Sequence, residues 1–154
     1  MRVLMVCLGN ICRSPMAEAV LAAQAPTWTV DSAGTASYHI GQEPDPRTIS
    51  ELARHGLRTR HRGRQVTAAD FTRFDLILAM DRLNLRNLER VRPKDATAQL
   101  TLLGAYDPQG IDEVPDPYEE DAAAFAAIHV QIARSCAALV SGRPAAAGPR
   151  TRPA

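Results

Sequence analysis

The hydrophobic positions of the chain form short apolar runs that alternate with segments of helical spacing. The apolar runs predict four strands, at Arg2–Val6, Thr27–Gly34, Phe74–Met80 and Gln99–Leu103. Helix start and stop residues predict helices at Ser14–Gln24, Asp45–Gly56, Asp81–Val91 and Tyr118–Gly142. This alternation predicts an α/β fold, a three-layer sandwich in which helices cover both faces of a central four-stranded parallel sheet.

Length and composition indicate a single domain. The 154 residues, of which 45% are hydrophobic and 23% charged, suffice for one globular core. We assign residues 1–142 to this domain. The segment 143–154 consists mainly of Pro, Gly, Ala and Arg and lacks core-forming side chains, so we expect it to be disordered.

Charge and cysteine content limit the possible partners. The formal net charge of +1 gives no basis for binding nucleic acid or a membrane surface through bulk electrostatics. The N-terminal apolar run is too short for a signal peptide, and we expect no membrane-spanning segment. Three cysteines without a disulfide framework fit a reducing compartment, so we expect a cytoplasmic protein.

The stretch CLGNICRS, from Cys7 to Ser14, directly follows the first predicted strand. Ligands of an open parallel sheet bind at the carboxyl ends of its strands, so this loop lies where a site is expected. We expect Ser14 to cap the following helix, with Pro15 at its first position. The helix N-terminus and the loop amides favour a bound anion, and Gly9 and Asn10 tolerate backbone geometry that other residues resist.

Two residues of this loop carry candidate chemistry. The helix N-terminus stabilises a thiolate, which makes Cys7 a candidate nucleophile. Arg13 offers a planar fork that matches two oxygens of a phosphate. Taken alone, the pair is equally consistent with a buried cysteine and a solvated arginine. Their position after a strand and before Ser-Pro favours a site for inorganic phosphate or a similar oxyanion.

The segment VCLGNICRSPMAE resembles the signature of the low-molecular-weight protein tyrosine phosphatases. The similarity continues through DSAGT, DPR, RQV, FDLILAMD and DPY, and it covers the chain from Val3 to about Val140. The resemblance implies a protein-tyrosine-phosphatase that hydrolyses phosphotyrosine and small aryl phosphates through a cysteinyl phosphate. The implied partner is a tyrosine-phosphorylated protein, and the implied mechanism needs no cofactor and no metal.

The resemblance also implies the roles of individual residues. Cys7 corresponds to the nucleophile, Arg13 to the residue that binds the phosphate and the transition state, and Asp116 of the DPY loop to the general acid and base. The other residues of the implied phosphate-binding loop are Leu8, Gly9, Asn10, Ile11, Cys12 and Ser14.

Residues outside the loop complete the implied site. Tyr38 and Tyr118 match the family's positions beside the substrate ring. Glu119 stands where the family often has a second aromatic residue, so we expect a more acidic entrance. The residues that correspond to a network supporting the loop are Asn10, Ser14, Ser32 and His61.

The second cysteine of the loop suggests redox protection. We hypothesise that Cys7 and Cys12 form a reversible disulfide, as the resemblance also suggests. Cys136, on an alanine-rich helix, is interpreted as structural. No His/Cys spacing indicates a metal site, and the remaining histidines are interpreted as surface or satisfied core residues: His39, His55 and His129.

Three alternative functions stay open from the sequence. A thiol-linked arsenate reductase shares the C-x5-R loop but needs further cysteines on a nearby helix, and Asp81–Val91 has none. A protein-arginine phosphatase of the same family favours Thr where this loop has Ile11, and an apolar residue better accommodates an aryl phosphate. The third alternative is an inactive phosphotyrosine-binding module. The presence of a nucleophile, an arginine and a general acid argues against it.

Overall fold

A computed structural model describes residues 1–147 of the chain. Its centre is a four-stranded parallel sheet in the order β2-β1-β3-β4. The strands are β1 (Arg2–Cys7), β2 (Thr29–Gly34), β3 (Leu76–Ala79) and β4 (Gln99–Leu102). The predicted parallel sheet is confirmed, and the order places β1 between two neighbours at its centre.

Within the described residues, the chain also forms five α-helices and one 3-10 helix. They are α1 (Arg13–Gln24), α2 (Pro46–Arg54), α3 (Asp70–Arg73), α4 (Arg82–Val91), α5 (Ala122–Val140) and the 3-10 helix Leu103–Tyr106. The sequence pattern predicted all the longer helices and missed α3, because four residues are too few to show a helical period. Helix α5 is shorter than predicted, since Asp121 caps it by accepting a hydrogen bond from the Ala124 N–H.

The start of α1 differs from the prediction. The helix begins at Arg13 with Cys12 in the N-cap position, so the prediction that Ser14 caps it is wrong. Pro15 therefore lies in the first turn but not at its first position. A proline is tolerated there because the first N–H groups of a helix have no intrahelical partner. The Ser14 hydroxyl is free for another contact, which lies in the site described below.

Alternation of side chains along the strands gives the sheet two apolar faces. Val3 and Met5 of β1 pack in a core layer with side chains from α1, α2 and α5. Leu4 and Val6 pack on the opposite face with side chains from α3 and α4. Burial of each such aliphatic side chain stabilises the fold by about 1.5–3 kcal/mol. The loop after β1 therefore follows a strand that is packed on both faces.

Helix α5 is long and apolar enough to cross a membrane by length and composition. We expected no segment long and apolar enough to span a membrane, and by these two criteria that expectation is wrong. Half of its most apolar window is buried inside the fold. Phe125, Ile128 and Ile132 lie in the core layer that also contains side chains of α1. Its place in the core accounts for the apolar composition.

The chain continues along the domain beyond α5. The Ala146 N–H donates to the Ala105 carbonyl at 2.8 Å, and Ala145 packs against the core. Contacts of the domain thus extend past residue 142, where we placed its end. The rest of the tail for which we predicted disorder, residues 148–154, lies outside the described residues.

Candidate active site

The loop between β1 and α1 joins Cys7, the last residue of the strand, to Arg13, the first residue of the helix. Asn10 has a left-handed φ of 57°, a conformation that asparagine tolerates better than most residues. Gly9 is not left-handed, so its role differs from the one predicted. A Cβ at Gly9 would lie 3.0 Å from Cδ2 of His39, so the glycine allows that ring to approach the loop.

The Cys7 sulfur lies among hydrogen-bonding groups. Its Sγ is 3.0 Å from Ser14 Oγ, and the Asn10 N–H donates to it at 3.3 Å. The side chain is buried at the bottom of a cleft. These two contacts hold the sulfur in place beside the loop.

The Asn10 side chain ties the loop to its surroundings. Its amide nitrogen donates to Ser14 Oγ at 2.8 Å and to Ser32 Oγ at 3.0 Å. Its carbonyl oxygen accepts from His61 Nε2 at 2.6 Å and from the Arg64 N–H at 2.9 Å. All four hydrogen-bonding positions of the amide are therefore occupied. The structure brings together the four residues that the sequence analysis grouped as a supporting network.

Arg13 is 2% exposed and is fixed from one side. Its Nη1 donates to Asp81 Oδ2 at 2.7 Å and to the Val114 carbonyl at 2.9 Å, whereas Nη2 lies 3.6 Å from Asp116 Oδ2. Burial opposes the charged form, but the neighbouring Cys7, Asp81 and Asp116 outweigh it and raise the pKa of Arg13. The site therefore contains a permanent, oriented cation.

The loop forms the floor of a cleft of about 200 Å³. This is smaller than the roughly 300–1,000 Å³ typical of sites for drug-sized ligands. The lining residues are Cys7, Leu8, Gly9, Ile11, Cys12, Arg13, Tyr38, His39, Asp116 and Tyr118. The cleft thus brings the candidate nucleophile, arginine, acid and both tyrosines together.

Two residues of the entrance differ from expectation. His39, interpreted as a surface or core residue, lines the cleft. Glu119 is exposed and lies outside the lining, so the expected acidic wall does not form there.

The Asp116 side chain is 46% exposed, and its Oδ1 accepts a hydrogen bond from the Tyr118 N–H at 3.1 Å. This carboxylate can therefore exchange protons with solvent.

Arg47 links the loop of Asp116 to helix α2, a role that the sequence analysis missed. Its guanidinium donates to the carbonyls of Tyr118 at 3.0 Å and Glu120 at 2.6 Å. It also pairs with both carboxylate oxygens of Asp45, and this pairing holds the pKa of Asp45 below its ordinary value. The guanidinium carbon lies 4.4 Å from the ring centroid of Phe125. The DPR motif was the only sequence signal for this arrangement.

The other two cysteines lie in different surroundings from Cys7. Burial, reinforced by the negative charges of Asp45, Cys7 and Asp116, raises the pKa of Cys12 to about 12. Burial alone raises the pKa of Cys136 to about 12. Both side chains are therefore neutral thiols at pH 7, and Cys136 lies in the core as its structural interpretation requires.

Two groups of histidine and carboxylate side chains within the described residues have the proximity that a metal ion needs. They are Glu18–Asp31–His61 and Glu51–His55–His129, with ligand atoms within 4.8 Å of one another in each group. The first group belongs to the loop network, because Glu18 accepts a hydrogen bond from Ser32 at 2.8 Å and pairs with His61. The second group lies away from the cleft, and its spacing was not recognised from the sequence.

Comparison with known proteins places the chain among phosphatases. The model of a family described as low molecular weight phosphotyrosine protein phosphatase matches residues 2–146. A relative of that description from Sus scrofa is 44% identical over 146 residues, which cover 90% of this chain and 92% of that protein.

Solved structures agree with the sequence comparison. The crystal structure of DARP, a Drosophila arginine phosphatase, has a TM-score of 0.88 and 40% identity, and the match covers 92% of this chain and 97% of that one. Vibrio vulnificus Wzb in complex with benzylphosphonate has a TM-score of 0.84 and 32% identity, with coverage of 92% and 97%.

Proposed function

The chain belongs to the low molecular weight phosphotyrosine protein phosphatase family and is a protein-tyrosine-phosphatase, and we propose that it acts through a cysteinyl phosphate on Cys7. The observation that supports this mechanism is the convergence of Cys7, Arg13 and Asp116 on one small cleft. Each of the three groups has a separate task in the reaction.

In the first step, the Cys7 thiolate attacks phosphorus opposite the ester oxygen. The S–P bond forms while the P–O bond to tyrosine breaks, and the electron pair of that bond leaves on the phenolic oxygen. Asp116, in its protonated form, transfers its proton to this oxygen, so that tyrosine leaves as a neutral phenol.

In the second step, water attacks the phosphorus of the cysteinyl phosphate. The Asp116 carboxylate, which lost its proton in the first step, accepts a proton from this water. The S–P bond breaks, the Cys7 thiolate is restored and inorganic phosphate is released. The sum of the two steps is the hydrolysis of one phosphate ester by one water molecule.

Arg13 stabilises the charge on the transferred phosphoryl group in both steps. Its fixed contacts to Asp81 and Val114 use Nη1, which leaves Nε and Nη2 for two phosphate oxygens. The backbone N–H groups of the loop and of the first turn of α1 bind the remaining charge. Because these donors are already in place, little reorganisation is needed during reaction.

The preferred substrate is an aryl phosphate. Tyr38 and Tyr118 line the cleft as exposed aromatic side chains, and Ile11 of the loop adds an apolar surface. A flat phenyl ring fits such walls through stacking and apolar contact. The benzylphosphonate bound by the related Vibrio vulnificus protein, which also joins a phenyl ring to a phosphorus acid, supports this preference.

The partner is a phosphorylated protein, and we infer that it is recognised at phosphotyrosine. Inorganic phosphate, as the product, binds in the same loop. We further infer a cytoplasmic location, because the nucleophile requires a reduced thiol.

One comparison tests the substrate preference. Peptides of identical sequence that carry phosphotyrosine, phosphoserine or phosphoarginine are hydrolysed in EDTA, and kcat/KM is measured for each. We expect phosphotyrosine to have the highest kcat/KM. The similar Drosophila arginine phosphatase makes phosphoarginine the competing candidate, and a higher kcat/KM for phosphoarginine would contradict the proposal.

A further inference from the structure

A second group of potential ligands lies where α2 packs against α5. Glu51 and His55 are four residues apart, at the end of α2, and therefore share one face. His129 of α5 lies opposite. Its ring stacks on that of His55, with 3.6 Å between centroids and 5° between planes.

We propose that Glu51, His55 and His129 form a binding site for a divalent transition metal ion, of which Zn²⁺ best fits the donors. Two imidazole nitrogens and one carboxylate oxygen are a common zinc ligand set, with water in the fourth position. A pair of ligands at positions i and i+4 of one helix, with a third on a facing helix, is a compact way to present such a set.

The ligand atoms are close together, but the His55 ring has to turn out of its stack, because two parallel rings cannot both direct a nitrogen at one ion. Ligands of a tetrahedral zinc ion are about 3.3 Å apart when the metal–ligand bonds are about 2.0–2.1 Å long. Glu51 Oε1 and His55 Nε2 are 2.9 Å apart, and the ligand atoms of all three residues lie within 4.8 Å of one another. Rotation of the His55 ring, which is 42% exposed, directs its nitrogen towards an ion that arrives from solvent.

The other two ligands are already held in place. Glu51 and His129 are each 7% exposed, and so lose little side-chain freedom when an ion binds. Within the described residues the His129 ring accepts and donates no hydrogen bond, which leaves a nitrogen available.

An ion at this position would brace two elements that support the active site. Near the other end of α2, Thr48 Oγ1 donates to the Cys12 carbonyl at 3.0 Å, and the Asp45 N–H donates to the Ile11 carbonyl at 2.8 Å. Helix α5 begins just after the loop of Asp116. A ligand that binds only the folded chain raises its apparent stability, so Zn²⁺ should raise Tm.

The test uses a full chain that carries Cys7→Ser and Cys12→Ser, because the active-site thiols are themselves zinc ligands. Zn²⁺ binding to this EDTA-stripped, desalted chain is measured by competition with a chromophoric chelator. Co²⁺ serves as a second probe, since its visible absorption reports the coordination number. We expect one equivalent of Zn²⁺ to bind, a higher Tm with Zn²⁺, and the Co²⁺ spectrum of a four-coordinate site.

Three variants in this background identify the ligands. His55→Ala changes an exposed side chain and should fold; Glu51→Gln and His129→Phe complete the set. Each should weaken Zn²⁺ at least about tenfold, since removal of even outer-shell groups costs 10–100-fold. Glu18→Gln, in the other histidine–carboxylate group, is the matched control and should leave the affinity unchanged. The proposal would be overturned if His55→Ala kept the full Zn²⁺ affinity, if only Glu18→Gln lost Zn²⁺ affinity, or if the chain bound no Zn²⁺ at all.

Discussion

Asp81 Oδ2 accepts a hydrogen bond of 2.7 Å from Arg13 Nη1, although the two residues are 68 positions apart in the sequence. The other oxygen of the same carboxylate, Oδ1, accepts from the Asn84 N–H at 2.8 Å and caps α4. One side chain therefore fixes both the cation of the active site and the first turn of a helix.

Replacement of Asp81 separates these two tasks. Asp81→Asn keeps an effective N-cap but loses the ion pair, whereas Asp81→Ala loses both. We expect kcat/KM for phosphotyrosine to fall about 100-fold in both variants, because the guanidinium is no longer held in position. Asp81→Asn should be more stable than Asp81→Ala by about 1 kcal/mol in urea unfolding. Equal stabilities, or wild-type activity in either variant, would contradict this account of Asp81.

Asp116→Ala removes the proposed acid and base. We expect kcat for phosphotyrosine to fall by about 10²–10⁴-fold, the range typical of a lost general acid or base. The loss should be smaller for para-nitrophenyl phosphate, since its leaving group departs without protonation. Glu119→Ala is the matched control, a carboxylate on the same loop outside the cleft. A similar loss in both variants would argue against a special role for Asp116.

Arg47→Met tests whether the anchoring of the Asp116 loop matters for turnover. Loss of the hydrogen bonds to the carbonyls of Tyr118 and Glu120 should loosen the loop and lower kcat by about tenfold or more. Binding of inorganic phosphate, which depends on the other loop, should change little. Arg54→Met, at an exposed position of the same helix, is the control. Weakened phosphate binding with unchanged kcat would contradict a role in positioning Asp116.

Peroxide treatment of the wild-type chain and of Cys12→Ser tests whether Cys12 protects Cys7 from over-oxidation. After brief peroxide treatment, mass spectrometry should find a Cys7–Cys12 disulfide, and thiol reductant should restore activity. In Cys12→Ser the same treatment should convert Cys7 to sulfinic acid, and activity should not return. Sulfinic acid at Cys7 in the wild-type chain, without a disulfide, would refute the hypothesis.

The central part of the site could be predicted from the sequence because it is local. Cys7 and Arg13 flank a five-residue loop between a strand and a helix, and both elements have clear sequence signals. Ser14 was wrongly assigned as the cap because the helix begins one residue before it. Its hydroxyl instead contacts the Cys7 sulfur, a contact that depends on the curvature of the folded loop.

The residues missed by sequence reasoning act through tertiary contacts. Asp81 and Arg47 each appear as helix-start residues in the sequence, and their partners lie about 70 positions away in the chain. His39 lines the cleft because Gly9 leaves space for its ring. Helical spacing relates Glu51 to His55, but only the packing of α2 on α5 adds His129. No periodic pattern in the sequence predicts these contacts between distant residues.

The most direct test of the mechanism is the hydrolysis of a phosphotyrosine peptide in EDTA by the wild-type chain and by Cys7→Ser, with rapid quenching and mass spectrometry of the protein. We predict turnover by the wild-type chain with phosphate covalently bound to Cys7 during the reaction. We predict neither turnover nor covalent phosphate in Cys7→Ser. Substantial turnover by Cys7→Ser, or wild-type turnover in which phosphate is never found on Cys7, would contradict the proposed cysteinyl-phosphate mechanism.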